Sequence, residues 1–143
     1  MRPPSIVRFD RFYLLAIAVG LIGTILDWPN LIAMIDNDPS FAPVRAIGGT
    51  LAAAFTGIGI LISLTLWYFV ARRGSVVAKW IVTVFTALSL GSLLLGISSG
   101  AVSGDVAGVL RMVGVVLQLI ATIALFRRDA RPWFTHDAPG DFA

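Results

Sequence analysis

Apolar residues gather into four long runs separated by short polar segments, and this alternation governs the rest of the reading. The runs cover about residues 12–28, 47–70, 76–97 and 106–126. Each is close to the roughly 20 residues a helix needs to cross a hydrocarbon core about 30 Å thick. Lipid offers no partner to an unpaired peptide group, so a spanning run of this kind must be helical. The expected fold is all-α, with four transmembrane helices in an up-down-up-down antiparallel bundle. One domain covers residues 1–134, and residues 135–143 form a disordered cytoplasmic tail whose Pro, Gly and acidic residues have little to bury.

The ends of the runs carry boundary signals of differing clarity. The first has a basic lead, Arg2, Arg8 and Arg11, as a signal peptide would, but Asp27, Trp28 and Pro29 follow it in place of a small-residue cleavage site. It reads as a retained span. Its continuous apolar part, residues 12–26, makes only about 22 Å of helix. Two completions fit: Trp28 anchors at the far interface with Asp27 capping a short interfacial helix through Leu31, Ile32 and Ile35, or the span continues to Ile35 with a kink at Pro29. Residues 36–43 read as a loop. The second span closes on Trp67, Tyr68 and Phe69, an aromatic belt. Residues 71–75 make a tight turn, with Gly74 ending one helix and Ser75 capping the next. The third span carries Thr83, Thr86, Ser89 and Ser92, hydroxyls of the kind that bond to their own helix carbonyls.

Composition strengthens the membrane assignment, since charged residues make up only 13% of the chain against about 25% in soluble domains. Alternating the spans across a bilayer places nine of the eleven basic residues on the side of the termini: Arg2, Arg8, Arg11, Arg72, Arg73, Lys79, Arg127, Arg128 and Arg131. Asp36, Asp38 and Asp105 fall on the other side with Arg45. By the positive-inside rule both termini are cytoplasmic. The high pI therefore reflects topology and not nucleic-acid binding. Arg72, Arg73, Arg127, Arg128 and Arg131, with Trp133 beside them, are placed to meet anionic lipid headgroups, at about 1 kcal/mol per basic residue.

Small residues mark the helix-packing faces. Tyr13, Ala16, Gly20 and Gly23 recur at helical spacing in the first span, and Gly49, Ala53 and Gly57 in the second. In the fourth, Gly104, Ala107, Gly108, Arg111, Val115, Gln118 and Thr122 share one side, opposite a greasy face. If Phe12 and Phe126 mark the same membrane edge, Asp27 and Arg111 both lie about 22 Å above it. That level placement predicts a structural intramembrane pair of Asp27 with Arg111, and Gln118 one heptad deeper. The competing reading has Arg111 snorkelling to the interface and Asp27 capping a helix there.

Chemistry for catalysis is thin. The chain has no Cys and no Glu, and its single histidine, His136, is in the tail. No spacing suits a metal ion and nothing pairs a nucleophile with a base, so neither an enzyme, a metal nor a cofactor is expected. Four spans in a short chain resemble the small multidrug resistance transporters, which use a Glu embedded in the first span; here the first-span acid is Asp27, near the outer edge. The run from Phe9 to Leu15 leading to Gly20 and Trp28, with Arg131-Pro132-Trp133-Phe134 beyond the last span, resembles a group of small uncharacterised four-helix inner-membrane proteins of proteobacteria. That resemblance implies a bacterial inner membrane and carries no catalytic residue with it. The functional expectation is a non-enzymatic accessory or interaction subunit whose partners are other membrane helices, in a hetero-complex or homo-oligomer. The alternative is a small oligomeric transporter or channel component.

Overall fold

The computed structural model describes residues 3–100 and 104–135. Four helices are long and apolar enough to cross a membrane: α1 (Pro4–Asn37), α2 (Gly48–Arg73), α3 (Val76–Ser98) and α4 (Val106–Ala124). A short α5 (Arg131–Thr135) follows, and no strand occurs among the described residues. The chain is an all-α, multi-pass membrane protein. Residues 136–143, the larger part of the expected tail, lie outside the described residues.

The first helix starts well before the first apolar run. Pro4 occupies its first turn, where a missing N–H costs nothing, and Ile6, Phe9 and Tyr13 put a buried face at helical spacing ahead of the greasy stretch. At 34 residues α1 is about 51 Å long, and it runs through Pro29 without a break. Asp27 is therefore inside a helix, and the short interfacial helix that it was a candidate to cap does not form. Of residues 36–43, expected as a loop, the first two close α1 and the rest enters a 3-10 helix, Pro39–Ile47, started by Asp38. The Asp38 carboxylate accepts from the Ser40 hydroxyl at 2.6 Å and from its amide at 2.8 Å, which holds the acid below the usual carboxylate range.

The remaining boundaries follow the sequence signals. Gly74 ends α2 with φ 64°, a left-handed conformation that costs a residue with a Cβ, and the Ser75 hydroxyl accepts from the Ala78 amide at 3.3 Å. Asp105 caps α4 by accepting from the Gly108 amide at 2.9 Å.

Helix α1 makes its most extensive contact with α4, and further contacts join α1 to α2, α2 to α3 and α3 to α4. The buried cluster lies at one end. It joins the first turns of α1 (Ile6, Phe9, Tyr13), the last of α2 (Leu66, Val70) and the first of α3 (Ala78, Val82) to Ala121, Leu125 and Phe134. Polar bonds fasten the same end. The Ser5 amide donates to Asp129 at 3.1 Å, the Trp67 indole to Asp10 at 2.5 Å and the Trp133 indole to the Val70 carbonyl at 3.1 Å. Lys79 lies 4.2 Å from the Phe126 ring centroid and 4.8 Å from that of Phe134. Trp133 thus packs against the end of α2, held by α5 folding back under the bundle. Arg72, Arg73, Arg127, Arg128 and Arg131 remain exposed around it.

Candidate functional site: a cleft between the four helices

Away from that fastened end, the helices leave a cleft of about 750 Å³ between them, within the range of small-molecule sites. The sequence pattern on each wall explains it. Small residues let α1 and α4 approach closely on one side: a Cβ on Gly23 would meet the Leu110 Cβ at 3.4 Å, and one on Gly114 would meet the Ala16 carbonyl at 3.9 Å. Gly108 is buried on the same helix, and Gly20 lines the cleft with open space beside it. Across the gap, α2 contributes Thr56, Gly59, Ile60 and Ser63, and α3 contributes Phe85, Leu88, Ser89 and Ser92. The α1–α4 neighbourhood matches the packing faces read from the sequence. Gly114 was missed in that reading, although it falls between Arg111 and Gln118 at the same three- and four-residue spacing.

The small-residue stripe of α2 has a different fate. A Cβ on Gly49 would meet the Ile32 Cδ1 of α1 at 3.3 Å, while Ala53 is exposed and a Cβ on Gly57 would meet nothing within 4 Å. Only the first position of the stripe touches another helix. The tight approach at that end is made instead by Gly48, where a Cβ would stand 2.6 Å from the Ile35 Cγ2.

Asp27, Arg111 and Gln118 all line the cleft. Asp27 and Arg111 bond elsewhere than to each other. The Asp27 carboxylate accepts from the Asn30 amide at 2.9 Å, and the Arg111 guanidinium donates across the gap to the Ser92 hydroxyl of α3 at 3.3 Å. The register explains this. Gly23, not Asp27, lies level with the Arg111 backbone, since a Cβ added there would be 4.0 Å from the Arg111 N, so Asp27 is one turn further along α1, about 6 Å toward the end away from the termini. Phe12 and Phe126 are not at one level. Ser5 lies beside Asp129, which slides α1 along α4 relative to the edges assumed from the hydrophobic runs.

The hydroxyls on the walls bond mainly to their own helices. Thr24 donates to the Gly20 carbonyl, Thr56 to Ala52 and Ser63 to Gly59, each at 2.9 Å. Below the cleft Thr86 and Thr122 meet across α3 and α4 at 2.8 Å, while each also lies within bonding distance of its own helix carbonyl. With one proton per hydroxyl, only two of those three bonds form at once. Among the described residues no three metal-ligating side chains come together. The cleft therefore offers an arginine bonded to Ser92, a carboxylate, an amide and the hydroxyls of Tyr13 and Ser89 on a wall whose other side chains are apolar or bonded to their own helices. That composition suits recognition of an amphiphile or a helix.

Comparison with known proteins yields no matching family model, no matching curated protein and no matching solved structure.

Proposed function

We propose that the protein is a non-enzymatic accessory or interaction subunit of a larger complex in the bacterial inner membrane. Its four spans run up-down-up-down with both termini in the cytoplasm, and its helix surfaces receive the helices of partner proteins. The observation that carries this reading is how little of α2 the bundle covers. Only 6% of its apolar stretch is buried, against 22% for α1 and for α4. A helix so little engaged, with Ala53 and Gly57 turned away from the bundle, has a face on which a second backbone can approach closely. The nine basic residues grouped on the terminal side support the orientation.

The test is site-specific photocrosslinking in native membranes from a probe at Gly57, with Gly57→Leu as the blocking variant. The expected result is one discrete adduct with a different membrane protein, lost when Ala53→Leu is added beside the probe, and loss of co-purification in Gly57→Leu. Adducts only to lipid, or a chain that purifies alone and unchanged by Gly57→Leu, overturn it.

The cleft favours a second reading, a small oligomeric transporter or channel component, because Arg111, Ser92 and Gln118 give it a polar wall. That reading requires a homo-oligomer and solute flux when the protein is reconstituted alone.

A further inference from the structure

The cleft has an ordered charge pattern that partner helices do not account for. Of the two charged groups on its walls, Asp27 lies about one turn nearer the end away from the termini than Arg111, and deeper still Ile17, Ile60, Phe85 and Leu88 make an apolar path beside Ser63, Ser89 and Gln118. Each charged group keeps bonding capacity to spare. The bond to Ser92 takes one of the five N–H groups of the guanidinium, and the bond from Asn30 takes one of the several acceptor positions of the carboxylate. An arginine at membrane depth is costly unless an anion meets it, and a carboxylate on a lipid-facing cleft wall likewise calls for a cation. Since Arg111 reaches toward α3 and Asp27 bonds along α1, each calls for its own counter-charge from a third body.

We propose that the cleft binds a zwitterionic phospholipid with a primary ammonium headgroup, taken from the leaflet at the end of the bundle away from the termini. In such a lipid the ammonium is outermost, the phosphate follows and the acyl chains run inward. That is the order the cleft complements: carboxylate, guanidinium, apolar wall. The phosphate oxygens accept from Arg111 in the forked geometry guanidinium groups favour. The ammonium donates to Asp27, and one acyl chain descends between Ile17, Ile60 and Leu88. A choline headgroup carries the positive charge but has no N–H to donate, and a glycerol headgroup has hydroxyl donors but no positive charge, so neither gives Asp27 both. This inference goes beyond the accessory role and does not require it, because the lipid occupies the cleft while Ala53 and Gly57, which border it without lining it, remain for partners.

The experiment uses the delipidated full-length protein in detergent. Native mass spectrometry measures competitive retention of phosphatidylethanolamine, phosphatidylcholine and phosphatidylglycerol of identical short acyl chains. Ethanolamine lipid should be retained about tenfold better than the other two, as one charge-assisted hydrogen bond at the low end of its range provides. Asp27→Asn should erase that preference while leaving phosphate-dependent binding. Arg111→Gln should reduce retention of all three. Equal retention of the three lipids by the wild-type protein overturns the proposal without recourse to any variant, as does preferential retention of the glycerol lipid. An unchanged preference in Asp27→Asn overturns the assignment of the ammonium. Distinct outcomes here and in the crosslinking from Gly57 separate failure of this site from failure of the accessory role.

Discussion

Gly74→Ala is the change that most directly tests how the bundle is fastened. Gly74 holds φ 64°, and the carbonyl oxygen of Trp133 would lie well inside contact distance of an added Cβ. Two costs follow. Placing alanine in the left-handed region costs about 1–2 kcal/mol. Displacing the Trp133 backbone, which cannot swing aside as a flexible side chain would, costs about 1–3 kcal/mol more. Reduced freedom of the unfolded chain gives back roughly 0.4–1 kcal/mol. The net destabilisation is about 1–5 kcal/mol, a large fraction of the 5–15 kcal/mol typical of a folded domain. Because α5 pivots on this contact, the indole bond from Trp133 to Val70 should be lost with it. Reversible unfolding of the full chain in mixed micelles, titrated with a denaturing detergent and followed by far-UV circular dichroism and tryptophan emission, measures the loss. Gly57→Ala is the matched control, since nothing lies within 4 Å of its added methyl. Gly74→Asn separates the two costs, because asparagine tolerates the left-handed region yet still meets Trp133. If Gly74→Ala unfolds at the same midpoint as Gly57→Ala, the close packing of α5 under the α2–α3 turn is wrong.

Other contacts give further expectations. Thr86→Val should cost about 0.6 kcal/mol and no more than roughly 1.7 kcal/mol, the range for interhelical bonds in membranes. A double-mutant cycle with Thr122→Val should recover that value as a coupling energy; zero coupling contradicts the shared bond. Trp67→Phe removes the indole donor to Asp10 and should destabilise by about 1–3 kcal/mol, with no comparable loss for Trp80→Phe. Asp129 is dehydrated by its neighbours, which raises its pKa, but the amide of Ser5 and the nearby Arg127 more than offset this and hold the carboxyl below its usual range. Since the folded value is the lower one, its contribution is present above the unfolded pKa near 4 and is lost as pH falls through the folded one. Detergent unfolding midpoints should therefore fall below about pH 4 in the wild type and less steeply in Asp129→Asn.

The four spans were legible because hydrophobic length is a local property, and a helix turn such as 74–75 or a cap such as Asp105 is decided by a few neighbouring residues. The face of α1 that meets α4 was legible for the same reason, as small residues at helical spacing. What the sequence obscured depends on register. Hydrophobic runs show where lipid begins, but α1 extends two turns beyond its run because Ile6, Phe9 and Tyr13 bury against Leu125 and Phe134 and not against lipid. Taking Phe12 and Phe126 as one level consequently brought Asp27 and Arg111 together, while the contacts of Gly23 separate them. Trp133 was read as an interfacial anchor because its neighbours are basic, a pattern that looks the same when the segment folds back onto α2. The cleft itself left no linear signal. It is assembled from hydroxyls and glycines on four helices, each unremarkable in its own span.

The buried cluster and the seat of Gly48 on Ile35 together have a mechanical consequence. Phe9, Val70 and Leu125 are drawn together beside the termini, and Gly48 sits against Ile35 where α2 begins, so α1 and α2 are pinned at both ends with the cleft between the pins. Two helices held in this way cannot splay about one end. A change in the space between them has to come from bending within the spans.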